Sequence, residues 1–176
     1  MQTEFEVKIL EIDIREVERR LTKIGAEKIK EREMRRYVYN ISPQDKSSWI
    51  RLRDNGEKTT LTIKKIEDST ITGTKETEVE VGDFEKTNLI LNGLGFFAKA
   101  YQENKRISYK FEDVEIEIDS WPKIPTYIEV EGRSEREVEK VVRLLGFEMK
   151  DTTSIGVSEV YKKYGLDIDK FKELKF

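Results

Sequence analysis

The sequence predicts an α+β fold in which about eight antiparallel strands form one sheet and helices pack on its apolar face. Three observations support this prediction: apolar and charged residues alternate in several segments, capped helical segments lie between them, and 176 residues suit one domain. No proline-rich or glycine-rich linker interrupts the chain. We therefore expect a single domain over residues 1–176.

Eight segments have the period-two alternation that is typical of half-buried strands. The predicted strands cover residues 3–10, 34–40, 48–54, 58–66, 74–81, 98–110, 113–120 and 126–132. Asp54, Asn55 and Gly56 have the sequence of a hairpin turn between two of these strands. Closely spaced strands of this kind favour antiparallel pairing.

Helices are predicted where a capping residue precedes an apolar stripe of helical spacing and a glycine follows it. The cap and glycine pairs are Asp13 and Gly25, Asp83 and Gly95, and Ser134 and Gly146. Ser134 also forms a capping-box sequence with Glu137. A short helix is expected over residues 157–164.

The charged residues share one face of nearly every predicted strand, and the apolar residues share the other. If the apolar faces pack on helices, the charged faces point either to solvent or into a closed barrel. Alternation alone is compatible with any half-solvated sheet. Two details favour a closed barrel: nearly every position on that face is charged, and acidic and basic residues fall on different strands. Opposed blocks of this kind suit a site for a polyanion and metal cations.

The composition excludes several classes of site. The chain has no Cys and no His, so Cys/His zinc sites, thiol nucleophiles and disulfides are absent. A metal would need carboxylate ligands, which favour hard cations such as Mg²⁺ or Mn²⁺. The 33 Lys and Arg residues against 36 Asp and Glu residues leave a net charge of -3, without the basic excess of a nucleic-acid binder.

The sequence predicts a cytoplasmic protein without a membrane partner. No apolar run approaches the roughly 18 residues that a membrane span requires. The N-terminal residues do not have the pattern of a signal peptide.

Seven short motifs, in this order along the chain, resemble one known family. They are Glu4-Phe5-Glu6-Val7-Lys8, Trp49-Ile50-Arg51-Leu52-Arg53, Leu61-Thr62-Ile63-Lys64, Glu76-Thr77-Glu78, Lys105-Arg106-Ile107-Ser108-Tyr109, Ile118-Asp119-Ser120-Trp121-Pro122 and Tyr127-Ile128-Glu129-Val130-Glu131-Gly132. The chain resembles the CYTH family, or triphosphate tunnel metalloenzymes, over about residues 1–165. That family includes class IV adenylyl cyclases, thiamine triphosphatases and inorganic triphosphatases.

The resemblance implies an eight-stranded antiparallel β-barrel, or tunnel, with a charged interior and helices packed on the outside. It implies that Mg²⁺ or Mn²⁺ is held by Glu4, Glu6, Asp119, Glu129 and Glu131. It implies that triphosphate is held by Lys8, Arg51, Arg53, Lys64 and Arg106, with Lys162 or Lys163 from the last helix. The catalytic set that it implies is Glu4, Glu6, Lys8, Arg51, Arg53, Lys64 and Arg106.

Three further expectations concern neighbouring residues of this site. Glu76 and Glu78 are expected to pair with Arg or Lys across the barrel, while Trp49 and Trp121 are expected to pack rather than to stack on a base. Many members of the family have a basic residue two positions before the arginine that matches Arg106. The chain has Asn104 there, so one phosphate contact is expected to be missing or replaced.

The residues leave several functions open. The first is metal-dependent hydrolysis of a triphosphate such as ATP, thiamine triphosphate or inorganic triphosphate. The second is a class IV adenylyl cyclase, and the third is a module that binds triphosphate without turnover. The fourth is a ligand-carrying barrel with an apolar interior, which would be lined by Phe5, Val7 and Ile128. A homodimer is expected only by analogy with the family.

Overall fold

The computed structural model describes residues 2–3, 5–42, 44–45, 47–67 and 74–176. The strands are β1 (Gln2–Thr3), β2 (Phe5–Ile9), β3 (Glu27–Asn40), β4 (Ser48–Asp54), β5 (Thr59–Ile66), β6 (Thr74–Val81), β7 (Ala98–Phe111), β8 (Val114–Ser120), β9 (Tyr127–Gly132) and β10 (Glu173–Leu174). The α-helices are α1 (Ile14–Ile24), α2 (Phe84–Gly93), α3 (Glu135–Leu144) and α4 (Val157–Lys163). Every predicted strand and helix is present, but β3 begins at Glu27 rather than at residue 34.

The strands form one sheet in the order β1-β6-β5-β4-β3-β7-β8-β9-β2, and β10 adds a short parallel pairing to β7. The other pairings are antiparallel. β1 and β2 belong to one N-terminal segment, and this segment pairs with both edges of the sheet: Gln2 lies opposite Glu76, and Glu6 lies opposite Glu131. Counted as one strand with β3 to β9, it completes the predicted eight-stranded antiparallel barrel.

The predicted caps position the helices. The side chains of Asp13, Asp83 and Ser134 accept hydrogen bonds from the backbone N–H groups of Glu16, Lys86 and Glu137, respectively. α1 ends at Gly25, whose φ of 81° lies in the left-handed region that glycine adopts without strain. These contacts determine the residues at which the helices begin and at which α1 ends.

The main apolar core lies between the helices and the outer face of the sheet. It contains Val17 and Leu21 of α1, Val138, Val141 and Val142 of α3, and strand residues such as Val7, Ile116, Ile128 and Val130. A second cluster joins Phe84 and Leu91 of α2 to Ile50 and Leu52 of β4. Phe5 also packs against this core, so Phe5, Val7 and Ile128 face the helices rather than the interior. This arrangement excludes the carrier barrel with an apolar interior.

The chain after α3 lies across one end of the barrel. Lys8 and Thr153 exchange backbone hydrogen bonds of 2.7 and 2.9 Å, and the Tyr161 hydroxyl donates to the Pro122 carbonyl at 2.6 Å. A third apolar cluster fills this end; we call it the end cluster, and it consists of Trp121, Ile124, Tyr127, Val160, Tyr161, Ile168 and Leu174. The charged interior is therefore bounded at one end by apolar side chains.

No helix within the described ranges is both long and apolar enough to cross a membrane.

Leu21→Ala should destabilise the protein far more than Leu89→Ala. Leu21 has no exposed surface and lies in the main core, whereas Leu89 on α2 is 67% exposed. Truncating a buried leucine costs about 2–5 kcal/mol, and truncating an exposed one about 0.5 kcal/mol or less. Urea denaturation of both variants measures this difference. Equal losses of unfolding free energy would contradict the placement of α1 on the core.

Candidate active site

The strand register brings the predicted charged residues onto the inner face of the sheet. Cross-strand neighbours on this face are Glu6 and Glu131, Lys8 and Glu129, Arg106 and Asp119, Lys64 and Glu76, and Arg53 and Arg36. Arg51 lies on the same face, two residues from Arg53 and opposite Thr62. The register thus places nine of the predicted site residues on one concave surface. They are Glu6, Lys8, Arg51, Arg53, Lys64, Arg106, Asp119, Glu129 and Glu131.

One side of the interior is an acidic wall formed by β2, β8 and β9, and two cations hold it together. The Arg106 guanidinium contacts Asp119 and reaches Glu129 at 2.6 Å. Lys8 pairs with Glu6 and lies 3.3 Å from Glu129. Burial alone would raise the pKa of Glu129, but Lys8 and Arg106 lower it well below its ordinary value. Glu129 is therefore a charged carboxylate at neutral pH.

The same wall has the oxygen donors that a divalent cation needs. Glu6 lies opposite Glu131, and Glu117 lies opposite Glu129, so carboxylates face each other across the strands. Burial raises the pKa values of Glu117 and Asp119, and Glu117 Oε2 is buried without a hydrogen-bond partner among the described residues. Within the described ranges no three carboxylates already converge on one point. The carboxylates of this wall are suitable ligands for a divalent cation. Those that pair with Lys8 and Arg106 would have to rotate toward the cation to coordinate it.

The other side of the interior is a basic wall formed by β3, β4 and β5. Carboxylates on β6 neutralise part of its positive charge. Glu78 lies 3.4 Å from Arg51 and 3.6 Å from Arg53. Glu76 lies 3.2 Å from Lys64. These contacts agree with the expectation that Glu76 and Glu78 pair with cations across the barrel.

The basic wall retains an excess of positive charge. Burial and the neighbouring Arg51 lower the pKa of Arg53 to about 9, and burial with Arg51 and Arg53 lowers the pKa of Arg36 to about 9. The Nε groups of Arg36, Arg51 and Arg53 are buried and have no hydrogen-bond partner within the described part of the chain. Unused donors and mutual repulsion of this kind favour binding of an anion with several oxygen atoms.

Arg36 is the residue of this wall that the predicted site did not include. It lies on the inner face of β3 between Met34 and Val38, as an arginine between two apolar residues of the same strand face. Asn104 accepts a hydrogen bond from Arg36 and donates one to Asp119 at 3.0 Å. The asparagine that departs from the family pattern therefore connects the basic and acidic walls.

Three other residues named from the sequence lie outside the two walls or outside the described residues. Lys162 is exposed on α4, where it pairs with Glu159 at 2.6 Å, while the preceding Tyr161 points into the end cluster. Glu4 lies outside the described residues. Trp121 packs in the end cluster, in agreement with the expected packing role, and the Arg36 guanidinium lies 4.6 Å from its ring centre.

A tunnel whose inner face combines a basic and an acidic wall matches a known family. The CYTH domain profile matches residues 2–159, and the chain belongs to the CYTH family. Members of this family are triphosphate-acting enzymes, including triphosphatases and adenylyl cyclases. No curated protein sequence matches the chain significantly.

Solved structures with the same fold include proteins from Pyrococcus and from Hippeastrum. A conserved hypothetical protein from Pyrococcus furiosus is 25% identical, with a TM-score of 0.74 over 88% of this chain and 97% of that chain. The PH1012 protein from Pyrococcus horikoshii is 22% identical, with a TM-score of 0.76 over 87% and 96%. HpAC1 from Hippeastrum is 15% identical, with a TM-score of 0.62 over 97% and 100%. These similarities show the fold.

Glu129→Gln should destabilise the metal-free protein at neutral pH by about 1–3 kcal/mol, because Lys8 and Arg106 would each lose a buried charged partner. The folded-state pKa of Glu129 is depressed, so its contribution is complete above the unfolded value of about 4.3 and disappears as pH falls through the folded value. Urea denaturation in EDTA at pH 7 and pH 3 measures this change. Glu115→Gln, at an exposed position of the same face, serves as the control. A difference from wild type that grows toward acidic pH would contradict the assignment.

Proposed function

We propose that the protein is a metal-dependent triphosphatase that hydrolyses an organic or inorganic triphosphate inside the barrel. The observation that carries the proposal is the excess of buried positive charge around Arg36, Arg51 and Arg53, directly across the interior from an acidic wall. A triphosphate has closely spaced anionic oxygens that can use both the free arginine donors and a carboxylate-bound cation.

The cationic side chains would bind and orient the phosphates. Arg51, Arg53 and Lys64 already lie on adjacent strands, and the Nε groups of Arg51 and Arg53 have no hydrogen-bond partner among the described residues. Guanidinium groups hold phosphate oxygens through paired hydrogen bonds. The same groups would stabilise the negative charge that develops on the leaving phosphate during hydrolysis.

The acidic wall would hold the metal. Glu6, Asp119, Glu129 and Glu131 would be its ligands, together with Glu4, and carboxylates favour Mg²⁺ or Mn²⁺. When bound, such a cation neutralises phosphate charge and lowers the pKa of coordinated water. Lys8 and Arg106 would keep Glu129 ionised, as its depressed pKa indicates.

Hydrolysis requires fewer recognition groups than cyclisation does. Water attacks a terminal phosphorus in hydrolysis, whereas a cyclase must also orient a ribose 3′-oxygen and its base. HpAC1, which has the same fold, is described as having a dominant triphosphatase activity. The adenylyl cyclase alternative rests on Trp49, a half-buried aromatic residue opposite Lys64 on the inner face, where it could stack on a base. A homodimer and a cytoplasmic location stay predictions.

One incubation series separates the candidate reactions. The protein is supplied with Mg²⁺ or Mn²⁺ and with inorganic triphosphate, thiamine triphosphate, ATP or GTP, and phosphate, pyrophosphate and cyclic nucleotide are quantified. We expect phosphate release that EDTA abolishes. Cyclic AMP with stoichiometric pyrophosphate would instead identify a cyclase. Binding of triphosphate without any product would leave only a binding module, and neither product nor thermal stabilisation would refute all three.

Arg51→Gln should lower kcat/KM for the best substrate by about 100- to 1,000-fold, because the variant loses a donor that acts on transferring phosphate. Arg35→Gln is the matched control, since Arg35 lies on the outer face of β3, where it pairs with Asp54 at 3.0 Å. We expect the control to stay within about 3-fold of wild type. Equal losses in both variants would indicate a general effect on folding rather than a contact with substrate.

A further inference from the structure

Arg36 is a buried arginine that forms no ion pair among the described residues, and the oppositely charged Asp119 is linked to it through Asn104. Its side chain is on the inner face of β3, and the residue is only 7% exposed. Arg53 lies opposite it on β4, and Gln102 lies opposite it on β7. Among the described residues no carboxylate comes within the 4.0 Å that defines an ion pair with this guanidinium. Buried arginines are rarely left in this condition.

The contacts of Arg36 fix its position without neutralising it. One terminal nitrogen donates to Asn104, the guanidinium lies 4.6 Å from the Trp121 ring centre, and Nε has no hydrogen-bond partner among the described residues. Asn104 is itself 1% exposed and held by Asp119. Neutral groups therefore orient the guanidinium next to the end cluster, while Asp119 offsets its charge only in part.

Arg106 shows what an arginine with a compensated charge looks like in the same interior. It is bonded to Asp119 and Glu129, and Glu117 lies 3.9 Å away. Arg36 instead lies directly opposite another arginine, and like charges at such positions destabilise a sheet. A role in packing alone would not require a positive charge at this position. A bound anion would neutralise it.

We propose that Arg36 is a phosphate-binding residue at the capped end of the barrel, and that it supplies from β3 the cation that is missing at Asn104 on β7. The inference rests on the proposed triphosphate function. Asn104 acts as a positioning residue, because it holds the guanidinium in place and contributes no charge of its own. The phosphate chain of the substrate would thus contact three successive inner arginines: Arg36, Arg53 and Arg51.

The first test compares Arg36→Gln with Arg35→Gln, which changes the adjacent arginine on the outer face. Binding of inorganic triphosphate is measured by calorimetry in EDTA, so that metal-dependent turnover cannot occur. Loss of a charge-assisted contact should raise Kd by about 10- to 100-fold in Arg36→Gln. Arg35→Gln should leave Kd within about 3-fold of wild type. A wild-type Kd in Arg36→Gln would overturn the inference.

The second test neutralises Arg36 while leaving it in place. Gln102→Glu places a carboxylate opposite Arg36, so the folded protein should become more stable while triphosphate binds at least about 10-fold more weakly. Gln102→Met, which has a similar volume and no charge, is the control for changes in packing. Opposite shifts in melting temperature and affinity support a ligand-binding role. A parallel loss of both, or unchanged affinity, would indicate that Arg36 only supports the fold.

The third test moves the cation from one strand to the next. Adding Asn104→Lys to Arg36→Gln returns a positive charge to the position where many family members have one, and it should recover at least part of the lost affinity. No recovery in a folded double variant would count against the proposed exchange.

The outcomes distinguish failure of this inference from failure of the proposed function. If the wild type hydrolyses triphosphate but Arg36→Gln binds it normally, only this inference fails. If the wild type binds in an Arg36-dependent way without hydrolysis, only the proposed catalysis fails; if it does not bind, both fail.

Discussion

Strand register is the constraint on which both the core and the site depend. Side chains alternate across a strand, so each charged residue faces the interior only while its apolar neighbours face the helices. Slipping β9 by one residue against β2 would turn Glu129 into the main core and Val130 into the charged interior. The pairing that buries apolar side chains beneath α1 and α3 therefore also aligns the charged walls.

Accumulating arginines in the interior costs stability that a bound anion can restore. The depressed pKa values of Arg36 and Arg53 express this cost, because burial and neighbouring arginines disfavour their charged forms. Glu78 compensates only part of the excess. A ligand that binds the folded state alone stabilises it in proportion to its concentration over Kd. The proposed affinity of this barrel for polyanions and its stability without them would thus be opposing consequences of the same side chains.

The fold and the placement of most candidate site residues were predictable because they depend on local alternation, capping residues and the order of charged motifs. Residues 27–33 of β3 were missed because they have little apolar alternation and are held by pairing with β7 rather than by burial. Arg36 was left out of the predicted site because what distinguishes it is the lack of a carboxylate opposite it on β4 and β7. A hydrophobicity pattern does not show which residues lie opposite each other. The exposure of Lys162 follows from the rotation of α4, which the packing of Tyr161 in the end cluster determines. These side-chain environments depend on contacts between elements that are far apart in the sequence.

The N-terminal segment joins the two edges of the sheet, and this arrangement affects how the chain can fold. Glu6 pairs with Glu131, so the segment is synthesised long before its partner in β9 exists. Until β9 has been synthesised, β2 lacks its strand partner and the main core beneath its apolar side is incomplete. Contacts between such distant parts of a chain form slowly, and exposed edges promote aggregation. Closure of the barrel is therefore expected to be a late folding step that favours chaperone protection of the nascent chain.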